Sequence, residues 1–129
     1  MTSKEIFEAC HKRYRGLRDW AKSSGTSVQS VDLGTPSTGY QWRPERARAC
    51  EYIADFERIG RYGLRRPEWK GRLKLFEAYF LDGLDYEKAR TAVGVAEGTF
   101  DYWFAQVKRT LGAEFSRTGL YPPSRYFSS

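Results

Sequence analysis

Between residues 86 and 111 the helical pattern is interrupted once, at Gly94-Val95-Ala96, and that interruption constrains the fold more than any other feature of the chain. On its N-terminal side, residues 86–93 have room for barely two helical turns, with Asp85 placed to cap them. A helix that short does not persist alone in water, because nucleation is costly and few hydrogen bonds follow it, so it must pack on neighbours. On the C-terminal side, Phe100, Phe104, Val107 and Leu111 fall on one side of a helix at about 100° per residue. Gly98, Tyr102, Ala105, Gln106 and Arg109 fall opposite, with Thr99 and Trp103 on one flank and Asp101 and Lys108 on the other. Gly94 can take the left-handed conformation that a tight helix exit requires, and Val95 would then plug the turn into the core. Two helices joined in this way form a helix-turn-helix, whose second helix enters a DNA major groove. Gly112 is expected to loosen or end that second helix.

The remaining segments are read as support for this unit. A first helix is predicted over 3–22, with Ser3 as N-cap and Glu5 in its first turn. Ile6, Cys10, Tyr14, Leu17 and Ala21 form its apolar stripe; Lys4, His11, Arg15, Arg18 and Lys22 face the other way. Residues 23–39 turn to Gly, Ser, Thr and Pro, a loop longer than most, and Tyr40 and Trp42 mark a return to packed structure. Pro44 suits a first helical position, and Ala49, Ile53, Phe56, Gly60 and Leu64 carry a stripe through a second helix that ends among Arg58, Arg61, Arg65 and Arg66. Pro67 opens a third, with Trp69, Leu73, Phe76 and Phe80 facing the core and Asp82-Gly83 ending it. The tail holds Leu120, Tyr121, Tyr126 and Phe127 around Pro122-Pro123, and is expected to strap back onto the domain, with a partner-docking peptide as the alternative.

The expected architecture is therefore all-α: two N-terminal helices with a long loop over 1–66, a helix-turn-helix unit over 67–116, and an extended tail over 117–129. With 129 residues and 16% aromatics, there is enough apolar surface for one core. The net charge of +6 biases the chain towards polyanions. That charge is uneven: residues 1–66 carry 13 Lys and Arg against 8 Asp and Glu, residues 67–129 only 9 against 8.

Several classes are not expected. Cys10 and Cys50 make no disulfide framework, and MTSKEIFEAC has no secretory core region, which points to a cytoplasmic setting. No apolar run is long enough to span a membrane. One histidine, His11, is too few for a His/Cys metal cluster, and neither a phosphate-binding glycine loop nor a nucleophile elbow is present. Neither an enzyme nor a cofactor is expected.

The stretch LFEAYFLDGLDYEKARTAVGVAEGTF, within residues 69–115, resembles the fourth conserved region of bacterial RNA polymerase sigma factors. The likeness runs from an LF-x-x-YF helix through Gly83-Leu84, a Tyr-Glu helix opening and Val93-Gly94-Val95 at the turn, to Glu97-Gly98-Thr99-Phe100. Three features depart from the family pattern. Arg90 replaces a small residue between the helices, Ala96 replaces a capping Ser or Thr, and Asp101, Tyr102 and Trp103 replace a basic face. The N-terminal 66 residues offer no counterpart of the promoter-melting region. The resemblance thus implies a sigma factor-like or stand-alone helix-turn-helix regulator, of a kind also common on phages and mobile elements, rather than a complete sigma factor.

The expected function is double-stranded DNA binding in transcription regulation, with a recognition helix over about 97–111. Thr99, Tyr102, Gln106 and Arg109 are the candidates for base edges and groove walls, since Gln and Arg have the bidentate geometry for adenine and guanine. Lys108 and Arg90 are candidates for phosphate, with Arg15, Arg18 and Arg65 as outlying phosphate contacts. The rival expectation is a protein-interaction module, for instance one docking on RNA polymerase, that uses Asp101, Tyr102 and Trp103. The target site, activation versus repression, and the oligomeric state, a homodimer included, stay open.

Overall fold

In the computed structural model, which describes residues 1–23 and 44–127, every regular element is helical. They are α1 (Ser3–Ser23), α2 (Pro44–Gly63), α3 (Lys70–Leu75), α4 (Tyr86–Val93) and α5 (Glu97–Thr118). A 3-10 turn, Pro67–Trp69, leads into α3 and a π-helical turn, Phe76–Leu81, continues it. Apart from Ser23, which closes α1, the 23–39 loop lies outside the described residues, as do Tyr40 and Trp42. No helix among the described residues is long and apolar enough to cross a membrane.

Local chemistry fixes most of the helix ends. Thr2, not Ser3, caps α1: its hydroxyl accepts from the Glu5 amide at 3.1 Å while its own amide donates to Glu5 Oε1 at 2.8 Å. That reciprocal pair satisfies two amides the helix start would leave open. Asp85 caps α4 by accepting from the Lys88 amide at 2.8 Å. Gly83 (φ +77°) and Gly94 (φ +80°) close their helices in the left-handed region, where a side chain would be strained.

α5 is longer than the pattern suggests. It passes straight through Gly112 and ends at Gly119, φ +85°. Gly112 neither loosens nor stops the helix; it is where α1 crosses. A Cβ there would lie 1.7 Å from the Ser3 carbonyl oxygen, so only a bare Cα allows the two backbones to meet. From this crossing α1 runs along α5, with Phe7 stacked on Phe115 at 5.9 Å and Glu8 paired to Lys108 at 2.9 Å.

The core closes around Phe56 of α2, whose stripe Ala49, Ile53, Phe56, Gly60 and Leu64 is buried throughout. α1 buries a wider arc than its predicted stripe, because α2, α5 and the π turn cover it on several sides. Phe7 is fully buried, and His11 and Arg15 turn inward rather than to solvent. His11 Nε2 donates to the Phe80 carbonyl at 3.1 Å, and Arg15 Nη1 donates to the Leu81 carbonyl at 3.1 Å. These are acceptors at the end of the π turn, where intrahelical donors run out.

His11 therefore sits neutral, with Nε2 carrying the proton. Burial pushes its pKa below the ordinary value, and the nearby Arg15 and Lys108 act the same way, against the Phe80 carbonyl. A depressed folded pKa means protonation favours unfolding. The contribution is complete above the unfolded value, about 6.5, and is lost as pH falls below it. The melting temperature is expected to drop between neutral pH and about 5.5, and His11→Gln, which keeps a donor for Phe80, to flatten that drop. An unchanged pH profile in the variant would contradict the assignment.

The tail folds back onto α1 and α2. Leu120 and Tyr126 are fully buried, the Tyr126 hydroxyl donates to Asp55 at 2.6 Å, and Arg13 lies over the Phe127 ring at 4.8 Å. None of these contacts involves the outer face of α5.

Candidate nucleic-acid interface

α4 and α5 are separate helices joined through Gly94, Val95 and Ala96. The Gly94 amide closes α4 on the Arg90 carbonyl at 2.8 Å, while Ala96 gives α5 no side-chain cap. Ala89 is fully buried and anchors the short helix. Tyr86 then ties α4 to α5: its ring meets Phe100 edge-on at 4.9 Å and its hydroxyl donates to the Asp101 carboxylate, which pushes the phenol up to about 12.

α5 buries Phe100, Val107, Leu111 and Phe115, and half-buries Phe104 against Tyr79 and Phe80. The opposite side remains outward. The side chains of Thr99 and Arg109 are exposed and make no hydrogen bond or ion pair among the described residues, and Tyr102 is 59% exposed. Gln106 shares this side but is half-buried and engaged. Its Oε1 accepts from Arg72 Nε at 2.8 Å and its Nε2 donates to the Tyr102 hydroxyl at 3.3 Å.

The cations expected on phosphate are mostly occupied within the chain. Lys108 is 15% exposed, paired with Glu8 and set over the Phe104 ring at 4.8 Å, so it holds α1 to α5. Arg90 pairs with Glu87 at 2.8 Å and donates to the Val95 carbonyl at 3.2 Å, stitching α4 to the turn. Arg18 pairs with Glu57 at 3.3 Å, and Arg15 is held at Leu81. Arg65 is exposed, stacked on the exposed Tyr62 ring at 3.9 Å. Of the nine residues expected to meet DNA, the fold brings Thr99, Tyr102, Gln106 and Arg109 together on one helix face; Lys108, Arg90, Arg15 and Arg18 serve internal contacts.

One cluster escaped the sequence reading. Gly63, at the end of α2, meets α5 beside Leu111, and Gly71, in α3, meets it beside Trp103. Next to Gly71, the Arg72 guanidinium lies over two indoles, 4.7 Å from the Trp69 ring and 4.8 Å from the Trp103 ring. Arg66 also stands over the Trp69 ring, at 5.6 Å. The i,i+3 spacings Trp69/Arg72 and Trp103/Gln106 put each pair on a common helix face, but nothing local says that the two faces meet. Gly71 decides it, since a Cβ there would lie 2.4 Å from the Trp103 ring.

Asp101 and Trp103, the core of the rival interface, are likewise engaged, the first by Tyr86 and the second by Gly71 and Arg72. Compared with protein families, curated proteins and solved structures, the chain finds no match in any of the three.

Proposed function

We propose that this chain binds double-stranded DNA as a transcription regulator, with α4, the Gly94 turn and α5 acting as a helix-turn-helix. The observation that carries the reading is the free outer side of α5, where Thr99, Tyr102 and Arg109 are exposed and the tail is folded elsewhere. Such a helix has the dimensions to lie in a major groove, and an unengaged Arg can present its fork to guanine. The likeness of residues 69–115 to the sigma-factor region supports the same orientation, as does the net charge of +6.

The test is fluorescence anisotropy with labelled mixed-sequence duplexes at low salt. Binding is expected, and it should weaken steeply as salt rises, because each neutralised phosphate releases counterions. Arg109→Ala is expected to cost about 1–3 kcal/mol on a selected site. No binding at low salt would overturn the reading in favour of a protein partner such as RNA polymerase. That rival retains Tyr102 as its exposed aromatic contributor, and its affinity would respond weakly to salt and strongly to loss of Tyr102.

A further inference from the structure

We propose that Arg72 is a prepositioned contact to the DNA phosphodiester backbone, and that Gln106 positions Arg72 instead of reading a base. The proposal rests on the duplex-binding reading and extends it to a residue outside the α4–α5 pair. The guanidinium carbon lies over two indoles, 4.7 and 4.8 Å from the ring centres, and one edge is fixed by the 2.8 Å bond from Nε to Gln106. The Nη1 and Nη2 groups make no hydrogen bond among the described residues. Planar, stacked and held at one edge, the side chain has lost its freedom before any ligand arrives, and what remains is a fork of donors matched to two oxygens of one phosphate.

The surroundings select the ligand. Arg66 is exposed and lies over the same Trp69 ring, 5.6 Å from its centre, with Arg65 exposed beside it and Glu68 as the acid of that stretch. A carboxylate-bearing protein surface would satisfy one fork, but a polyanion with repeating charges suits two guanidiniums, Arg66 and Arg72, set over one indole. Position points the same way. Arg72 joins α5 at Gln106 and Trp103, on the flank of the Tyr102–Arg109 face. With that face in a groove, the flank meets the strand that borders it, where contacts set affinity and register and carry no sequence information.

Affinity would be measured for the unaltered chain and three variants on two unrelated duplexes over a salt series. Arg72→Gln is expected to weaken binding to both duplexes alike, by about tenfold, as for a lost charge-assisted contact. The slope of log affinity against log salt should fall by about 0.9, one phosphate contact. Arg72→Lys should restore the slope but not the affinity, since it keeps the charge without the fork. Gly71→Ala, which displaces the Trp103 ring, should lower affinity with the slope unchanged. Duplex binding that is identical in the unaltered chain and Arg72→Gln, slope included, overturns the proposal and leaves the DNA-binding reading standing. A loss confined to one duplex makes Arg72 a base reader and overturns the phosphate assignment. No duplex binding by the unaltered chain overturns both.

Discussion

Truncating Phe56 to alanine is expected to remove about 3–5 kcal/mol of stability, which is a large share of the roughly 5–15 kcal/mol a domain of this kind has. The reason is its position. Phe56 stacks on Tyr14 at 4.3 Å and meets Phe115 at 5.1 Å, Phe76 at 5.9 Å, His11 at 6.0 Å and Phe7 at 6.2 Å. These rings come from α1, α5 and the π turn, so one side chain of α2 contacts three other parts of the fold. Deleting it leaves a ring-sized void that none of them can fill without losing its own partners. Urea denaturation followed by circular dichroism measures the cost. Phe56→Leu, which keeps most of the volume, should lose far less. A loss below about 1 kcal/mol for alanine would mean that the five rings do not converge there.

Gly112→Ala is expected to cost about 3 kcal/mol or more, at the upper end for overpacking. Elsewhere in a helix the same change stabilises by about 1 kcal/mol through propensity alone. The opposite sign comes from the 1.7 Å approach of the added carbon to the Ser3 carbonyl. That obstacle is backbone, so relief requires α1 to lift from α5, stretching the Phe7–Phe115 stack and the Glu8–Lys108 pair. Gly98 is the internal control: it lies in the first turn of α5 with nothing within 4 Å of an added Cβ, so Gly98→Ala should raise stability. Thermal melts of both variants give the comparison. Two increases would show that α1 does not cross α5 at this point.

The consequence for function is specific. α1 packs on the buried and Lys108 sides of α5 and α3 on the Trp103 flank, so that among the described residues the Thr99–Tyr102–Arg109 side is the one left uncovered. The cation that the fold adds to α5 beside that side is Arg72 of α3, through Gln106 and Trp103. Part of the N-terminal positive charge, by contrast, is taken up by internal contacts: Arg15 with Asp19 and the Leu81 carbonyl, Arg18 with Glu57, Arg61 with Glu77.

What the sequence alone determined is whatever is settled within a few residues. The Asp85 cap, the helix end at Gly83, the left-handed exit at Gly94, the start at Pro67 and the outward side of α5 were all legible, because caps, positive φ and helical period are local properties. The α2 stripe was legible too, since a helix buried along one side announces it by spacing. Tertiary structure decided the rest. Whether His11 faces water or a carbonyl depends on a partner 69 positions away, whether Lys108 is free depends on one 100 away, and Arg72 meets Gln106 across 34. Gly112 reads as a helix breaker in isolation and serves as a helix crossing in the fold. Pairings at those separations are chosen by how close two backbones can come and by which side chains then lose their water, and neither quantity is written in the neighbourhood of any one residue.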